Sequence, residues 1–418
     1  MAHKYFIFIL LSLCVPVLAY NQVQGCTDPL SNNYNPLATI NDGSCTYNTT
    51  AYTPLIKVDP ITDSLKETSG LLMAGNYLWS FNDGGGTPTL YRIDTMSNIL
   101  LQRVILGGTT NVDWEDIAFD GTYVYIGDIG NNSTGARTNL KIYKFPFSAI
   151  PDFAGNPVAT IPAQQIEVIH FTYSNQPQPP VATTLNNSKF DCAAMIVDNG
   201  NIHLFSKNWI DNNSTHYFIK GSSAGTYVAD SVETLATNYL VTAADKVAGQ
   251  NIVVLLGYQS TGTARHFIHI LSDYKADSFF TGNKRRIDLP DATVMGQGEG
   301  IIFRNGKYGY ISNEKFVRTV GPFTISVNQK LRSFDISNFV NNYFTTYIFN
   351  GNGNWSDSVN WRYNLVPPST LIAGNEIIID PVGGGSCALD IPYTLPAGAK
   401  LTVNAGKKFL VQGNLIVQ

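Results

Sequence analysis

Apolar residues along the chain come in short alternating runs, paired about turns that carry Gly. In GQGEGIIFRNGKYGYISNE, residues 296–314, Asn305-Gly306 stands between two such runs. Asn-Gly in that setting predicts a β-hairpin, because a type I′ turn needs positive φ at both central positions. Folding there sets Gln297 opposite Glu314 and Glu299 opposite Ser312, so carboxylates collect at the open end, away from the turn. Four other stretches share the layout: ETSGLLMAGNYLWSFND (67–83), DWEDIAFDGTYVYIGDIGNN (113–132), DCAAMIVDNGNIHLFSKNW (191–209) and TAADKVAGQNIVVLLGYQ (242–259). Superimposing Ser69, Glu115, Ala193, Ala244 and Glu299 gives a repeat about as long as a propeller blade, with one long insertion near residues 150–190.

Two further strand-like runs follow each hairpin: TLYRID and ILLQRVIL, LKIYKFPF and IEVIHFTY, THYFIKG and TYVADSV, RHFIHIL and KRRIDLP. The fifth hairpin is followed by KLRSFDIS alone. PLIKVDP, residues 54–60, can complete that blade by joining N- and C-terminal strands. The expected fold is all-β: a β-propeller of five four-stranded blades, six if the insertion hides another, whose radial closure leaves only short edges. From about Tyr347 the pattern changes to FNGNGNWSDSVNWRYNLVPP, then IIID, CALDI, KLTVN, KFLVQ and NLIVQ, short strands with Gly and Pro at the corners. These predict a small β-solenoid or sandwich appendage. Trp355 and Trp361 could form a carbohydrate platform there or plug the open end of a β-stack.

Composition narrows the setting. Charged residues make up 14% of the chain, against about 25% in an average soluble protein. Tyr and Phe number 22 each, and long amphipathic helical patterns are missing, which favours an all-β extracellular protein over a cytosolic α/β enzyme. A net charge of −4 and a pI near 5.9 leave no electrostatic footprint for nucleic acid. The single basic run, Lys284-Arg285-Arg286, reads as a solvated strand face.

Met1–Ala19, MAHKYFIFILLSLCVPVLA, has a Lys, an apolar stretch too short to span a bilayer comfortably, and Val17-Leu18-Ala19 as a small-residue cleavage site. That is the layout of a secretory signal peptide. Cys14 raises lipoprotein anchoring, but Leu13 is bulky where such processing wants a small residue. No later segment is apolar for long enough to cross a membrane. The expected organisation is a signal peptide at 1–19, a disulfide-closed module at 20–50, the propeller at 51–346 and the β-rich appendage at 347–418, secreted or at the cell surface as a monomer. Cys26 and Cys45 bracket a short polar segment with no core of its own, and a bridge closing it would stabilise by roughly 3 kcal/mol. Cys192 and Cys387 are expected to pack as small buried hydrophobes.

In GCTDPLSNNYNPLATINDGSC, residues 25–45, Asp28, Asn32, Asn35, Asn41 and Asp42 are hard oxygen donors of the type that suits Ca²⁺. The alternative is that they cap turns. In a propeller the inner hairpins line the channel, so Glu67, Asp83, Asp113, Glu115, Asp128, Asp191, Asp245, Glu299 and Glu314 are expected to gather at one mouth. So many carboxylates repel unless neutralised, and Ca²⁺ is the expected neutraliser outside a cell. The competing reading has these acids accept backbone N–H bonds or pair with Lys207, Arg137 and Lys315.

Other catalytic signals fail on context. Gly221-Ser222-Ser223-Ala224-Gly225 matches a hydrolase elbow but joins two strands rather than strand and helix. The six histidines show no zinc spacing. Gly84-Gly85-Gly86 and Gly296-x-Gly298-x-Gly300 lack the helix and Lys that phosphate binding requires.

The GCTDP…NYNP…DGSC segment resembles a short module that recurs in secreted proteins of the Bacteroidota, and GNGNW…NW…P with its β-rich end resembles a segment of their surface proteins. E-x-S-G…W-x-x-N-D, D-W-E-D-I-A, G-D-I-G-N-N…R, F-S-K-N-W and Q-G-E-G-I…S-N-E together resemble an uncharacterised propeller family of secreted Bacteroidota proteins over most of residues 52–348. Glu299-Gly300-Ile301 with Ser312-Asn313-Glu314 is similar to one blade of phytase-like or esterase-like propellers. Where the family pattern has D-x-E-A, this chain has Asp191-Cys192-Ala193-Ala194, so one channel carboxylate is missing.

Two functions follow as expectations. In the first, the chain recognises or adheres to an extracellular glycan or peptide, with Ca²⁺ helping hold the channel mouth and Trp79, Trp114 and Trp209 beside the acids. In the second it is a Ca²⁺-dependent phosphoester or ester hydrolase. Glu115, Glu299 and Glu314 are then the catalytic candidates, and Arg137, Lys207 or Arg265 neutralises phosphate charge.

Overall fold

A computed structural model describes residues 23–38, 40–340, 346–362, 366–369, 371 and 375–418. The signal segment 1–19, with Cys14, lies outside the described residues.

Inner strands Thr68–Ala74, Trp114–Phe119, Cys192–Asp198, Leu240–Lys246 and Gln297–Asn305 follow one another round a closed ring, each packed on the next and the last on the first. Each begins an antiparallel sheet that runs outward through three more strands, so the described residues form a propeller of five blades, here numbered 1 to 5 in that order. The inner strands are buried on both faces. Thr68–Ala74, for example, is buried at every position except the partly exposed Met73. One face packs on the preceding blade and the other on the following blade, and five separate apolar clusters fill the five wedges between blades.

The ring closes as the sequence predicts: Leu55–Val58 pairs antiparallel with Lys330–Asp335 of blade 5, Val58 opposite Leu331. The 150–190 stretch holds no extra blade among the described residues. Val158–Ile161 adds a parallel fifth strand to blade 1, and Glu167–Tyr173 is the outer strand of blade 2. That outer strand also pairs parallel with Gly225–Leu235 of blade 3, which covers two edges at once. An unanticipated hairpin, Phe316–Val320 with Phe323–Val327, projects from blade 5.

The blade 5 turn differs from expectation by one residue. Asn305 pairs with Tyr308, so Gly306-Lys307 makes the connection. The positive-φ pairs occur instead at Gly75-Asn76 (58° and 64°) and Asn199-Gly200 (49° and 75°).

Cys26 and Cys45 are bonded. Their module sits on blade 4 through Thr27 Oγ1, which donates to Asp273 Oδ2 at 2.7 Å, and Asn41 Nδ2, which donates to Asp273 Oδ2 and Asn283 Oδ1, each at 2.8 Å. The basic run is only partly a solvated face. Lys284 Nζ donates to the carbonyls of Gly282 and Gly43, and the Arg285 guanidinium lies 5.1 Å from the Tyr47 ring, while Arg286 is exposed. Asn41→Ala would take one of the donors from Asp273, which keeps Thr27, and one from Asn283, at about 1–3 kcal/mol. Chymotrypsin cleavage at Tyr47 is expected to speed up roughly tenfold or more for this variant, by the same energy converted to a ratio, with the propeller's unfolding midpoint little changed.

The C-terminal strands resolve solenoid from sandwich. Among the described residues every pairing between strands is parallel and stacked: Thr346–Phe349, Glu376–Ile379 and Lys400–Val403 on one face, Gly353–Asn354, Ser386–Leu389 and Lys408–Val411 on a second, Tyr393–Leu395 and Leu415–Val417 on a third; one isolated antiparallel bridge joins Phe349 to Trp361. Trp355 and Trp361 are buried inside it, edge to face at 4.7 Å, so they plug the stack. Cys387 is buried in the same core, and Cys192 is buried between blades 2 and 3; both are free thiols.

Candidate metal and ligand site at the channel mouth

All five inner hairpins break register at the same level, just inside their open ends. The slips lie between Thr68 and Leu71, opposite Gly127 and Asp128, between Cys192 and Ala194, between Val241 and Ala243, and between Gly298 and Gly300. A β-bulge inserts one residue and re-aims it. The residues so placed are Ser69, Glu115, Ala193, Thr242 and Glu299. The ring is laced at this level by Ser69 Oγ donating to Glu115 O (2.6 Å) and Thr242 Oγ1 donating to Gly298 O (2.7 Å).

The carboxyl oxygens of Asp83, Asp113 and Glu115 lie within 4.8 Å of one another. Gly130 makes this possible, because a Cβ there would collide with the carboxylates of both Asp113 and Glu115. Asp83 accepts the N–H of Gly84 at 2.5 Å. Glu115 is 4% exposed, and among the described residues its carboxylate accepts no hydrogen bond. Burial, with Asp83 and Asp191 adding their charge, pushes Asp113 up to about 7. Burial followed by the charge of Asp83 holds Glu115 well above the ordinary range, and burial raises Asp83.

On the other side of the mouth Lys207 Nζ lies 3.7 Å from Glu299 Oε2, and Gln297 Nε2 donates to Glu299 Oε1 at 2.8 Å. Burial raises Glu299, and burial plus the Glu299 charge raises Glu314 well above its ordinary value. Burial alone would lower the Lys207 ammonium, but Glu299, Tyr258, Glu115 and Asp191 outweigh it, and the lysine stays charged.

Not every predicted acid joins these two groups. Asp191 is a clamp: it accepts the N–H groups of Asn131 (2.6 Å) and Cys192 (3.1 Å) and the Trp209 indole N–H (2.7 Å). Asp128 turns away to Arg137 (2.7 Å) and Lys141 (3.5 Å), and Arg137 also donates to Gly130 O, so this pair shapes the loop under Asp113. Glu67 is exposed at the rim, near Asp83 and Glu314. Arg265 faces Asp288 at 3.6 Å.

Asp28 accepts Leu30 N–H and the Tyr47 hydroxyl, and Asp42 accepts Ser44 N–H, so the leader-module acids cap turns and lie apart from the mouth. Asp245 belongs to the opposite end of the channel, where the five hairpin turns and Val359 surround a cavity of about 970 Å³. Trp79 and Trp114 are wholly buried between blades 1 and 2, and of the three indoles expected at the mouth only Trp209 borders it.

Two participants went unforeseen. Tyr258 closes the inner hairpin of blade 4 and sits with Lys207, Glu299 and Glu314. Asp116, one residue past Glu115, is buried in the channel wall and accepts N–H groups from three blades. The repeat could have flagged Tyr258, since it ends its hairpin as Asp128 and Glu314 end theirs.

No protein-family description and no curated protein matches the chain. Among solved structures it is similar in fold to the PQQ-bound aldose sugar dehydrogenase of Streptomyces coelicolor (10% identity, 66% of this chain and 96% of that one, TM-score 0.37). A GH43 β-1,3-galactosidase with galactodeoxynojirimycin aligns at 12% identity over 68% and 94%, TM-score 0.38. The periplasmic gluconolactonase of Pseudomonas aeruginosa aligns at 11% over 63% and 67%, TM-score 0.30. Likeness at these scores carries no argument about chemistry, and the propeller assignment rests on the ring of blades.

Proposed function

We propose that this chain is a secreted or cell-surface propeller that recognises an oxygen-rich neutral ligand, a glycan or a peptide, at a Ca²⁺ site in the channel mouth. Glu115 carries the reading. A carboxylate so buried, with no donor of its own and two more carboxylates beside it, must either hold a proton or face a cation. Asp83, Asp113 and Glu115 are hard oxygen donors and would hold Ca²⁺, which takes 6–8 oxygens and so leaves positions for ligand oxygens. Trp209 supplies an apolar face next to it. Six acids, Asp83, Asp113, Glu115, Asp191, Glu299 and Glu314, face one Lys207, so the mouth stays acidic even with one divalent ion and favours neutral over anionic ligands. The signal-like N-terminus and the disulfide support an extracellular setting.

A hydrolytic reading has one observation in its favour. Buried Glu299 and partly buried Glu314 are neighbouring carboxyls whose charges oppose each other, the condition under which one keeps a proton and the other acts as base. Against a phosphoester substrate, Arg137 and Arg265 are already engaged by Asp128 and Asp288.

Titration calorimetry of the mature protein is expected to show Ca²⁺ binding that Glu115→Gln weakens by on the order of a hundredfold. At a hundred times its Kd, calcium adds about 2.7 kcal/mol to stability. Folded wild-type protein that takes up no calcium overturns the metal site. Chelator-sensitive turnover of 4-nitrophenyl phosphate or acetate, abolished by Glu299→Gln, would decide for the hydrolase.

A further inference from the structure

We propose that Lys207 is a built-in second cation: its ammonium fills, on the Glu299–Glu314 side of the mouth, the place a second divalent ion would otherwise take, and so fixes the mouth as a one-metal centre. The proposal rests on the calcium reading above. The mouth acids divide into unequal cases. Asp191 is satisfied by three N–H donors. Asp83, Asp113 and Glu115 converge with a single donor among them, the Gly84 N–H. Glu299, buried, and Glu314, partly buried, form a second pair, and the cation against them is Lys207.

The ammonium is held without being hydrogen-bonded. Its side chain is 8% exposed, its nearest carboxylate oxygen is 3.7 Å away, and among the described residues it donates no hydrogen bond. The rings of Trp209 and Tyr258 lie 5.8 Å and 5.9 Å from Nζ, a geometry in which aromatic faces stabilise a cation. A compact ammonium between two π faces and a carboxylate occupies the volume of an ion.

Local structure explains why blade 3 supplies it. At the bulge where blades 2 and 5 present Glu115 and Glu299, blade 3 presents Ala193, a methyl group. The carboxylate of its own blade, Asp191, adds its charge to Lys207 but is taken up by three N–H donors. The backbone N–H of Lys207 is fixed to Asp191 O at 2.9 Å, and the four-carbon stem carries the charge across to Glu299 of blade 5. An acid at this bulge would hold a metal there or trap the lysine; this chain has the alanine and keeps the lysine.

Calcium stoichiometry measured calorimetrically at pH 8 tests the idea. Wild type and Lys207→Arg, which keeps the charge, are expected to take one Ca²⁺ per chain. Lys207→Glu, which removes the cation and adds an oxygen ligand beside Glu299 and Glu314, is expected to take two. Should that variant fail to fold, Lys207→Met serves in its place, with a second, weaker equivalent expected. One equivalent in the folded variant alongside one in wild type overturns the proposal alone, and so does a second equivalent in Lys207→Arg. No calcium in wild type overturns the metal reading beneath it.

Discussion

Asp116→Ala is expected to lower the unfolding free energy by about 3–5 kcal/mol, read from urea denaturation, although Asp116 lies outside both carboxylate groups of the mouth. Its carboxyl accepts the N–H of Ile117 on its own strand (2.9 Å), of Met195 on blade 3 (2.8 Å) and of Ala244 on blade 4 (3.4 Å). One side chain thus ties three of the five inner strands across the channel. Burial pushes it well above the ordinary carboxylate range against the pull of those same N–H groups, and an oxygen accepts them whether or not the group is ionised. Truncation strands the donors in a site from which the residue is 1% exposed. Each unpaired buried N–H costs about 1–3 kcal/mol, and the weak third bond counts least. Asp116→Asn keeps one acceptor oxygen and should lose roughly half as much. A loss below about 1 kcal/mol for the alanine variant would mean that channel water satisfies the donors, and the three-blade tie would carry no energy.

The hairpins, the outer strands and the ring closure were legible because alternating apolar runs and Gly turns repeat. Facing was harder to read. Inner strands are buried on both sides, so no polar stripe tells the channel face from the wedge face, and Trp79 and Trp114 were expected at the mouth when they fill the wedge between blades 1 and 2. Blade 4 shows the same limit. Thr242, not Ala244, sits at the bulge, because Val241, Thr242, Ala243 and Ala244 are all buried and a shift of two keeps every side chain on its face. That slip carried Asp245 to the wrong end of the channel. Arg137 pairs with Asp128, as the competing reading of the acids expects and the phosphate-binding one does not, and only folding of the 129–137 loop decides between them. Glu115, Glu299, Glu314 and Lys207 were found together because each follows directly from the hairpin register.

In metal-free protein the buried acids are expected to take stability away as pH rises from about 4 through about 7, against the opposite contribution of His203, His266 and His269, which burial lowers to about 3, 4 and 3. Asp113 and Asp245 both move from 3.8 up to about 7 on folding, burial being the main cause, and Glu115, Glu314 and Asp83 shift in the same direction. A folded value above the unfolded one means that the native state binds more protons in between. The stability tied to those protons is full below the unfolded value and is lost as pH climbs through the folded one. A shift of this size corresponds to about 4 kcal/mol per group, so the acids' summed contribution should reach several kcal/mol. Calcium should reverse the loss where the mouth acids are ionised, giving its largest stabilisation near pH 8 and almost none at pH 4. Asp245 sits at the turn end, held by the Phe303 N–H at 2.6 Å, so Asp245→Asn should shrink the metal-free slope while leaving the calcium response intact. Urea midpoints from pH 4 to 8, with chelator and with calcium, separate the two ends of the channel. A calcium effect as large at pH 4 as at pH 8 would show that the mouth carboxylates do not ionise against one another as the fold places them.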